Sequence, residues 1–408
     1  MDLNATPSAN RIHIGFFGRV NAGKSSLVNA LTGQELAVVS EIKGTTTDPV
    51  YKAMELNPLG PVMLIDTPGV DDCGPLGERR IQKSLQVLNK VHLAVIVIDS
   101  VTGRTEKDEK LIALCAEKNI KFLVVYNKSD LRPSLEAREN PAQENEIFVS
   151  SKTGYNIEKL KAKIVALAGR AEKKASLVGD LIEPGDVVVL VTPLDEAAPK
   201  GRLILPQQQT IRDILENGAV AVVGQEFSLE EILGNLKKAP KLVITDSRIF
   251  AQVAAITPAA VPLTSFSILF ARYKGNLEEA VKGIRTLETL TGGDSILISE
   301  GCTHHRQCED IGTVKLPQWI KKHTGKDFRY SFTSGQEFPA VLSAYKLIIH
   351  CGGCMLNDRE MKYRQQCARE QGVPITNYGL LIAHLQGVLK RSLSIFPHYR
   401  SLLPVKED

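Results

Sequence analysis

The segment Gly18–Ser25 constrains the fold of this chain more than any other feature of its sequence. It reads G-R-V-N-A-G-K-S, follows the apolar stretch IHIGFF and precedes a stretch with helical spacing. A glycine-rich loop between a strand and a helix presents backbone N–H groups to phosphate, and the helix N-terminus adds positive charge there. The segment therefore predicts an α/β domain with a nucleotide phosphate site.

The residues of this loop have different expected roles. We expect Lys24 to reach the β- and γ-phosphates and to act in catalysis, and Ser25 to ligate Mg²⁺. The predicted nucleotide contacts in the loop are Gly18, Asn21, Ala22, Gly23, Lys24, Ser25 and Ser26.

Two further elements are placed to sense the γ-phosphate. Asp66-Thr-Pro-Gly69 follows the strand-like stretch VMLID, so Asp66 is expected to hold Mg²⁺ through water and Gly69 to offer a backbone N–H. The segment GTTTD at 44–48 lies where a first switch is expected, and Thr46 is the predicted γ-phosphate and Mg²⁺ contact. Catalytic roles are therefore predicted for Lys24, Thr46, Asp66 and Gly69.

The last two elements predict recognition of the base. Asn127-Lys128-Ser-Asp130 follows FLVVY and resembles the guanine-reading element of small GTPases, in which an acidic side chain accepts from guanine N1 and N2. Ser150-Ser151-Lys152 follows EIFV and resembles the fifth GTPase element. Five elements in order, each in its expected context, predict a GTP site.

Apolar and polar stretches divide the chain into three expected domains. Residues 1–172 alternate strand and helix signals, which predicts a mostly parallel, doubly wound sheet. The five strand candidates are IHIGFFG, VMLIDT, LAVIVID, FLVVYN and EIFVSS. A charged stretch ending at Pro184-Gly185 separates this domain from a smaller α/β domain at 173–262, and Pro258 and Pro262 mark the start of a third α/β domain at 263–408. The middle region includes a strand candidate at Leu203–Leu205 and shows no concentrated chemistry. We find no internal repeat in the sequence.

Composition and charge bear on whether the chain binds nucleic acid, a membrane or an anion. The chain has 408 residues, of which 43% are hydrophobic and 24% charged, and its 22 aromatic residues are few for a base-stacking nucleic-acid binder. No apolar run is long enough for a transmembrane helix, and no secretory signal is evident, so we expect a cytoplasmic protein without membrane or nucleic-acid partners. The net charge is +4, with the surplus in residues 300–408, which is either a solvated surface or a site facing an anion.

A cysteine and histidine constellation predicts a metal centre in the third domain. It consists of Cys302-x-His304 followed by His350-Cys351-Gly-Gly-Cys354. Cys302 and Cys351 each follow a predicted strand, so parallel neighbouring strands would place both at one carboxyl edge of a sheet. The spacing alone fits Zn²⁺ or an iron–sulfur cluster, and coincidence also remains open.

Together, the GTPase elements and the pattern C-x-H…H-C-x-x-C resemble the HydF family of [FeFe]-hydrogenase maturation GTPases. The resemblance implies a [4Fe–4S] cluster on Cys302, Cys351 and Cys354, with His304 as a candidate fourth ligand and His350, water or a non-protein ligand as alternatives. It also implies a homodimer formed through the middle domain. The implied role is a scaffold that carries a 2Fe precursor, works with two radical-SAM maturases and delivers to apo-[FeFe]-hydrogenase.

The first domain alone resembles the TrmE-type GTPases. In that family the residue matching Asn21 helps to hold K⁺, and Val70 stands here where Ras-like proteins have a water-orienting glutamine. The missing glutamine predicts slow hydrolysis, and the resemblance implies that K⁺ stimulates it.

Two other functions stay open at this point. One is a GTPase of RNA modification or ribosome assembly with a structural zinc site. The other is a redox enzyme in which the GTPase is regulatory. Cys115 and Cys367 are expected to be ordinary helix residues, Cys73 follows the DTPG element, and Cys308 stays open as a substitute ligand.

Overall fold

The computed structural model describes residues 6–33, 48–69, 75–132, 144–169, 176–193, 203–275, 277–302, 310–335 and 337–403. These residues form two compact units, Met1–Lys173 and Lys174–Asp408. Within the described part of the chain, no helix is long and apolar enough to cross a membrane.

The first unit is built on a six-stranded sheet. Its strands are β1 (Ile12–Phe17), β2 (Val50–Leu56), β3 (Gly60–Asp66), β4 (Leu93–Asp99), β5 (Lys121–Asn127) and β6 (Glu146–Phe148). The spatial order is β2-β3-β1-β4-β5-β6, and every pair is parallel except β2 with β3. The five predicted apolar strands are confirmed. Strand β2 was not predicted because its sequence, VYKAMEL, is largely exposed at this edge of the sheet.

Helices cover both faces of this sheet, as a doubly wound fold requires. They are α1 (Lys24–Thr32), α2 (Pro75–Leu88), α3 (Glu106–Glu117) and α4 (Ile157–Ala168). One apolar core lies between the sheet and α1 with α4, and a second core includes buried residues of α2 and α3. The predicted α/β fold class is confirmed.

The second unit contains two four-stranded sheets that share one strand order. The strands are β7 (Val187–Val191), β8 (Val220–Gly224), β9 (Leu242–Thr245), β10 (Leu263–Ser265), β11 (Ser295–Ser299), β12 (Arg329–Thr333), β13 (Leu347–His350) and β14 (Ile375–Asn377). The orders are β10-β9-β7-β8 and β14-β13-β11-β12, with all pairs parallel.

Eleven labelled α-helices accompany these sheets in the described residues. They are α5 (Leu205–Glu216), α6 (Leu229–Asn235), α7 (Phe250–Ile256), α8 (Phe266–Tyr273), α9 (Leu277–Ile284), α10 (Thr286–Thr289), α11 (Leu316–Thr324), α12 (Asp358–Glu370), α13 (Tyr378–Leu385), α14 (Leu389–Ser392) and α15 (Pro397–Ser401). A π-helical turn, Ile311–Lys315, precedes α11.

The two sheets exchange helices, which makes the second unit a single body. Helix α9, which follows β10 along the chain, packs on β14, and α14, which follows β14, packs on β10. One apolar core accordingly extends from Leu177 to Leu403. The matching sequences V-P-L-T-S-F-S-I-L at 261–269 and V-P-I-T-N-Y-G-L-L at 373–381 form the equivalent strand-to-helix turns. The expectation of no internal repeat is therefore wrong.

Other details also differ from the sequence prediction. Leu203–Leu205 is not a strand, because Leu205 begins α5 and Pro206 suits the first turn of a helix. The expected boundary between 262 and 263 stands immediately before β10, which pairs with β9 in the first of the two sheets. The three expected domains remain a proposal beside the two compact units.

Candidate functional site

The predicted phosphate loop connects β1 to α1 and depends on two glycines. Gly18 has a φ of 142°, and a Cβ there would lie 2.2 Å from the backbone oxygen of Val97. Gly23 has a φ of 90°, and a Cβ there would lie 2.2 Å from Asn127 Nδ2. Because neither position admits a larger side chain without displacement, the backbone stays close to β4 and to the base-side element.

Lys24 is buried at the start of α1 and turns back toward the loop. Its Nζ donates to the backbone oxygens of Gly18 at 3.0 Å and Arg19 at 2.7 Å. The ammonium is thus held inside the loop, where the sequence predicts phosphates.

Ser25 and Asp66 meet at the carboxyl ends of β1 and β3. Ser25 Oγ donates to Asp66 Oδ2 at 2.5 Å, and Asp66 Oδ1 is buried without a hydrogen-bond partner. Burial raises the pKa of Asp66, opposed by the Ser25 hydrogen bond and by the charges of Lys24 and Lys52. A hydroxyl beside a carboxylate oxygen with spare acceptor capacity fits a hard cation such as Mg²⁺.

The Asp66–Gly69 turn packs directly on the phosphate loop. Thr67 Oγ1 donates to the backbone oxygen of Phe16 at 2.6 Å. A Cβ on Gly69 would lie 2.3 Å from Val20 Cγ2, so glycine permits the close approach. The predicted contact Thr46 and the neighbouring Val70 lie outside the described residues.

Asn127 joins three of the predicted elements. It is fully buried, and its Nδ2 donates to the backbone oxygens of Ala22 at 3.2 Å and Gly23 at 3.4 Å. Its Oδ1 accepts from the backbone N–H of Ser151 at 3.0 Å. The phosphate loop and both base-side elements are therefore linked through one side chain.

The other base-side residues are held by polar contacts. Ser150 Oγ donates to Asp130 Oδ1 at 2.6 Å, and Lys128 Nζ donates to Asp99 Oδ2 at 2.7 Å. The sequence analysis missed Asp99, whose only sequence signal is its place as the polar end of an apolar strand. Lys152 is exposed.

Two of the predicted nucleotide contacts in the phosphate loop differ in their exposure to solvent. Asn21 is exposed with a φ of 62°, and Ser26 is partly buried in the first turn of α1. Asn21 is thus held in a backbone conformation that asparagine tolerates better than most residues.

The cysteines lie at the carboxyl edge of the sheet formed by β11 to β14. Strands β11 and β13 are parallel neighbours with Ser299 beside His350, so Cys302 and Cys351 both follow the strand ends at this edge. The condition for a shared sheet edge, that these two strands are parallel neighbours, is therefore met. His304 lies outside the described residues, as does the segment 303–309 that contains it.

Backbone N–H groups point at the sulfur of Cys351. Gly301 N donates to Sγ at 3.0 Å and Gly353 N at 3.4 Å. Burial raises the pKa of Cys302 and of Cys354 to about 12, with the nearby thiols adding to the rise. Burial also raises the pKa of Cys351, which the two N–H groups oppose. Because metal ligation requires thiolates, loading this site would release protons.

The separation of the sulfurs bears on the choice of metal. Among the described residues, the three cysteine sulfurs do not form a group lying within 4.8 Å of one another. A tetrahedral zinc ion with Zn–S bonds of about 2.3 Å brings its sulfurs to roughly 3.8 Å. Backbone N–H groups aimed at sulfur suit a thiolate ligand of zinc and of an iron–sulfur cluster alike, so this donor set leaves both metals open.

His350 is committed to other contacts. Its Nδ1 lies 2.8 Å from the backbone oxygen of Cys351, and its Nε2 lies 3.1 Å from Arg364 Nη1. Arg364 can only donate, so Nε2 accepts and Nδ1 carries the proton. Burial and the Arg364 charge lower the pKa of His350 to about 3. With both ring nitrogens engaged, His350 is a poor candidate for the fourth ligand.

Two charged residues near the cysteines were missed by the sequence analysis. Lys274, buried after α8, donates to the backbone oxygen of Leu356 at 2.7 Å, and its charge acts to lower the pKa of Cys354. Glu300 Oε1 accepts from Tyr378 at 3.1 Å, just before Cys302. No sequence motif includes either residue, because each comes near the cysteines only when the chain folds.

The fold and the nucleotide site of the first unit define a P-loop GTPase, and the family model described as a 50S ribosome-binding GTPase matches residues 13–128. The hydrogen maturase F dimerization domain matches residues 177–275, and the hydrogen maturase F tetramerization domain matches residues 278–395. These last two matches together span more than half of the chain. The chain belongs to the hydrogen maturase F family, which confirms the resemblance inferred from its motifs.

Curated relatives of the GTPase class are similar over a smaller share of the chain. GTPase Der of Nitratidesulfovibrio vulgaris is 36% identical over 181 residues, which cover 41% of this chain and 36% of the relative. The tRNA modification GTPase MnmE of Nitrosomonas eutropha is 33% identical over 159 residues, covering 39% and 35%. The chain thus spans about a third of the length of these relatives. A solved structure of Era from Aquifex aeolicus is 18% identical, with a TM-score of 0.35, over 60% of this chain and 97% of the Era chain.

Proposed function

We propose that this protein is a GTP-hydrolysing scaffold and carrier in [FeFe]-hydrogenase maturation. On this account it holds a [4Fe–4S] cluster, carries a 2Fe precursor made with two radical-SAM maturases, and delivers it to apo-[FeFe]-hydrogenase. The observation that carries the proposal is the convergence of Cys302, Cys351 and Cys354 beside β11 and β13, within the part of the chain that matches hydrogen maturase F.

The nucleotide half of the proposal rests on the loop and its partners. Lys24 would bind the β- and γ-phosphates, Ser25 and Asp66 would hold Mg²⁺, and Gly69 would face the γ-phosphate. Thr46 would complete the Mg²⁺ site, and Asp130 would read guanine. The Ser25–Asp66 contact and the spare oxygen of Asp66 support this assignment.

The cluster half rests on the donors at the sheet edge. Three cysteine ligands would leave one iron with an exchangeable position, which is the chemistry a carrier site needs. The chain's own residues supply amide donors to Cys351 and a buried cation, Lys274, near Cys354. His304, water or a non-protein ligand would occupy that exchangeable position.

We also propose a homodimer formed through the middle region, which includes the dimerization-domain match. Strand β8 is an edge of its sheet and exposes Val220 and Val223. Phe227, just after β8, is 79% exposed. Exposed apolar side chains beside an open strand edge are typical of an interface between chains.

The test of the cluster is iron analysis and EPR on anaerobically purified, reconstituted full-length protein. We expect about four irons per chain, as a cubane requires, and a reduced-cluster signal that Cys302→Ala loses. Cys367→Ala, on α12, is the matched control and should keep both. One zinc per chain with no iron signal would overturn the proposal and favour a GTPase with a structural metal.

The proposed hydrolysis is slow and K⁺-stimulated, with Asn21 as the K⁺ contact. Steady-state phosphate release should be faster in KCl than in NaCl at equal ionic strength, and Asn21→Ala should remove the difference. Equal rates of the wild-type protein in both salts would refute the K⁺ site without touching the cluster proposal.

A further inference from the structure

A second group of metal-binding side chains lies apart from the cysteines. Among the described residues, Glu288, His323 and His384 bring ligand atoms within 4.8 Å of one another. They come from three helices, α10, α11 and α13. No motif in the sequence joins them, since 34 residues separate the first two and 60 the last two.

The topology places this group at the opposite end of the sheet from Cys302 and Cys351. Helix α10 ends before β11 begins, and α11 ends before β12 begins, so Glu288 and His323 lie toward the amino edge. Helix α13 leaves the carboxyl edge after β14, and His384 stands in its last turn. The group is therefore distinct from the proposed cluster site.

The three side chains already meet through one oxygen. Glu288 Oε1 lies 2.7 Å from His384 Nε2 and 2.9 Å from His323 Nε2. The hydrogen bond from His384 lowers the pKa of Glu288, burial opposes this, and His323 adds to the lowering. An anionic carboxylate thus faces two imidazole nitrogens.

Local electrostatics favour a cation at this point. His323 and His384 each lie in the last turn of their helix, where the backbone dipole presents partial negative charge. Two helix C-termini and a carboxylate converge there. The side chains of His323 and Glu288 are 32% and 54% exposed, so an ion can enter from solvent.

We propose that Glu288, His323 and His384 form a binding site for a divalent transition-metal ion, with zinc the best-matched ion. Two histidines and one glutamate are a ligand set of three-residue zinc sites, which keep a fourth position for water. With metal–ligand bonds of about 2.0–2.1 Å, tetrahedral geometry separates the ligand atoms by roughly 3.3 Å. The contacts of 2.7 and 2.9 Å need to open by only about half an ångström, which the exposed Glu288 allows.

The test is a Co²⁺ titration of the full-length protein, followed by visible absorption. Cobalt replaces zinc, and its d–d bands report a site of nitrogen and oxygen ligands, whereas thiolate ligation adds a charge-transfer band. We expect a one-equivalent site without thiolate absorption that persists in Cys302→Ala. His323→Ala and His384→Ala should weaken it at least about tenfold. His398→Ala, an exposed histidine on α15, should not.

A second variant separates metal binding from the metal-free hydrogen bonds. Glu288→Gln keeps an oxygen that can accept from either histidine but loses the negative charge, so the fold should persist and affinity should fall. Zn²⁺ should raise the thermal midpoint of the wild-type protein and not that of Glu288→Gln. The proposal is overturned if the wild-type protein shows no such site, or if its Co²⁺ spectrum and affinity are unchanged in the double variant His323→Ala, His384→Ala.

Discussion

At the scale of residues, single polar side chains join segments that are far apart in sequence. Asn127 ties the phosphate loop to Ser151, and Lys128 pairs with Asp99 at the ends of neighbouring strands. Arg364, fully buried, contacts Glu360, Ser299 and His350 and so fixes the edge behind Cys351. Asn127 and Arg364 are fully buried and have defined partners in place of water, so removal of either side chain leaves buried groups unpaired.

Asn127→Ala should weaken GTP and GDP binding. The variant leaves the backbone oxygens of Ala22 and Gly23 and the N–H of Ser151 without their partner, a cost of about 2–3 kcal/mol or roughly 30- to 150-fold in Kd. Fluorescent-nucleotide titration measures the change. Asn235→Ala, an exposed asparagine on α6, serves as control, and unchanged affinity in Asn127→Ala would show that the linkage does not matter.

The Asp99–Lys128 pair should contribute stability that depends on pH. Burial acts to raise the pKa of Asp99, but the hydrogen bond from Lys128 and the Val101 N–H prevail and hold it below 3.8. A folded-state pKa below the unfolded one stabilises the fold above the unfolded value, and this contribution is lost as pH falls through the folded pKa. Because both groups are partly exposed, the contribution is about 0.5–1 kcal/mol.

Calorimetry of wild type and Asp99→Asn would test this dependence. GDP identifies the transition of the first unit, because ligand binding stabilises only that transition. Asp99→Asn should lower its midpoint at pH 7, and the difference should shrink as pH drops below 3.8. Glu117→Gln is an exposed control. If the difference in thermal midpoint between wild type and Asp99→Asn stayed constant at the lowest pH measured, the assigned ion pair would be contradicted.

At the scale of elements, the sequence predicts the strands and the motifs at their ends better than it predicts which elements and side chains lie next to one another. The five apolar strands of the first unit follow from hydrophobic runs that end in polar motifs, whereas the pairing of β11 with β13 is seen only in the structure. Strand β2 and the helical start at Leu205 do not follow, since one is an exposed edge and the other an apolar run that Pro206 turns into a helix. The sequence does not predict that Lys274 and Glu300 lie near the cysteines, because the packing of the folded chain determines their neighbours.

The turn after β13 should depend on Gly353. Its φ is 64°, and a Cβ there would lie 2.7 Å from Met361 Sδ, so alanine strains the backbone and displaces the N–H that points at Cys351. We expect Gly353→Ala to lose at least about half of its reconstituted iron. At Gly352 the nearest atom to a Cβ is at 3.4 Å, so Gly352→Ala should load normally. Equal iron in both variants would count against the proposed site.

At the scale of the whole molecule, two duplicated sheets form one body because each receives a helix from the other. The repeat was hard to see in the sequence, since only the short V-P-x-T turns at 261 and 373 are alike while the strand ends differ. Strand β9 is followed by Asp246-Ser247, whereas its counterpart β13 is followed by Cys351-Gly352. One sheet edge thus carries the cysteines, while its counterpart lacks them.

The exchanged helices predict where the chain can be divided. Fragments 1–173 and 174–408 should each fold cooperatively, whereas 174–262 should not, because it lacks β10 and the part of the shared core that follows it. Circular dichroism and thermal unfolding of the three fragments measure this. A cooperative transition in 174–262 would support an independent middle domain ending at 262 and refute the single body.

The most direct test of the proposed function is activation of apo-[FeFe]-hydrogenase by the purified full-length protein. We predict hydrogen evolution only when the protein has been produced together with two radical-SAM maturases. Cys351→Ser should abolish the activation, and Cys115→Ser, at a buried site on α3, should leave it unchanged wherever the variant folds. Full activation by protein made without the maturases, or by Cys351→Ser, would contradict a carrier that depends on its cysteines.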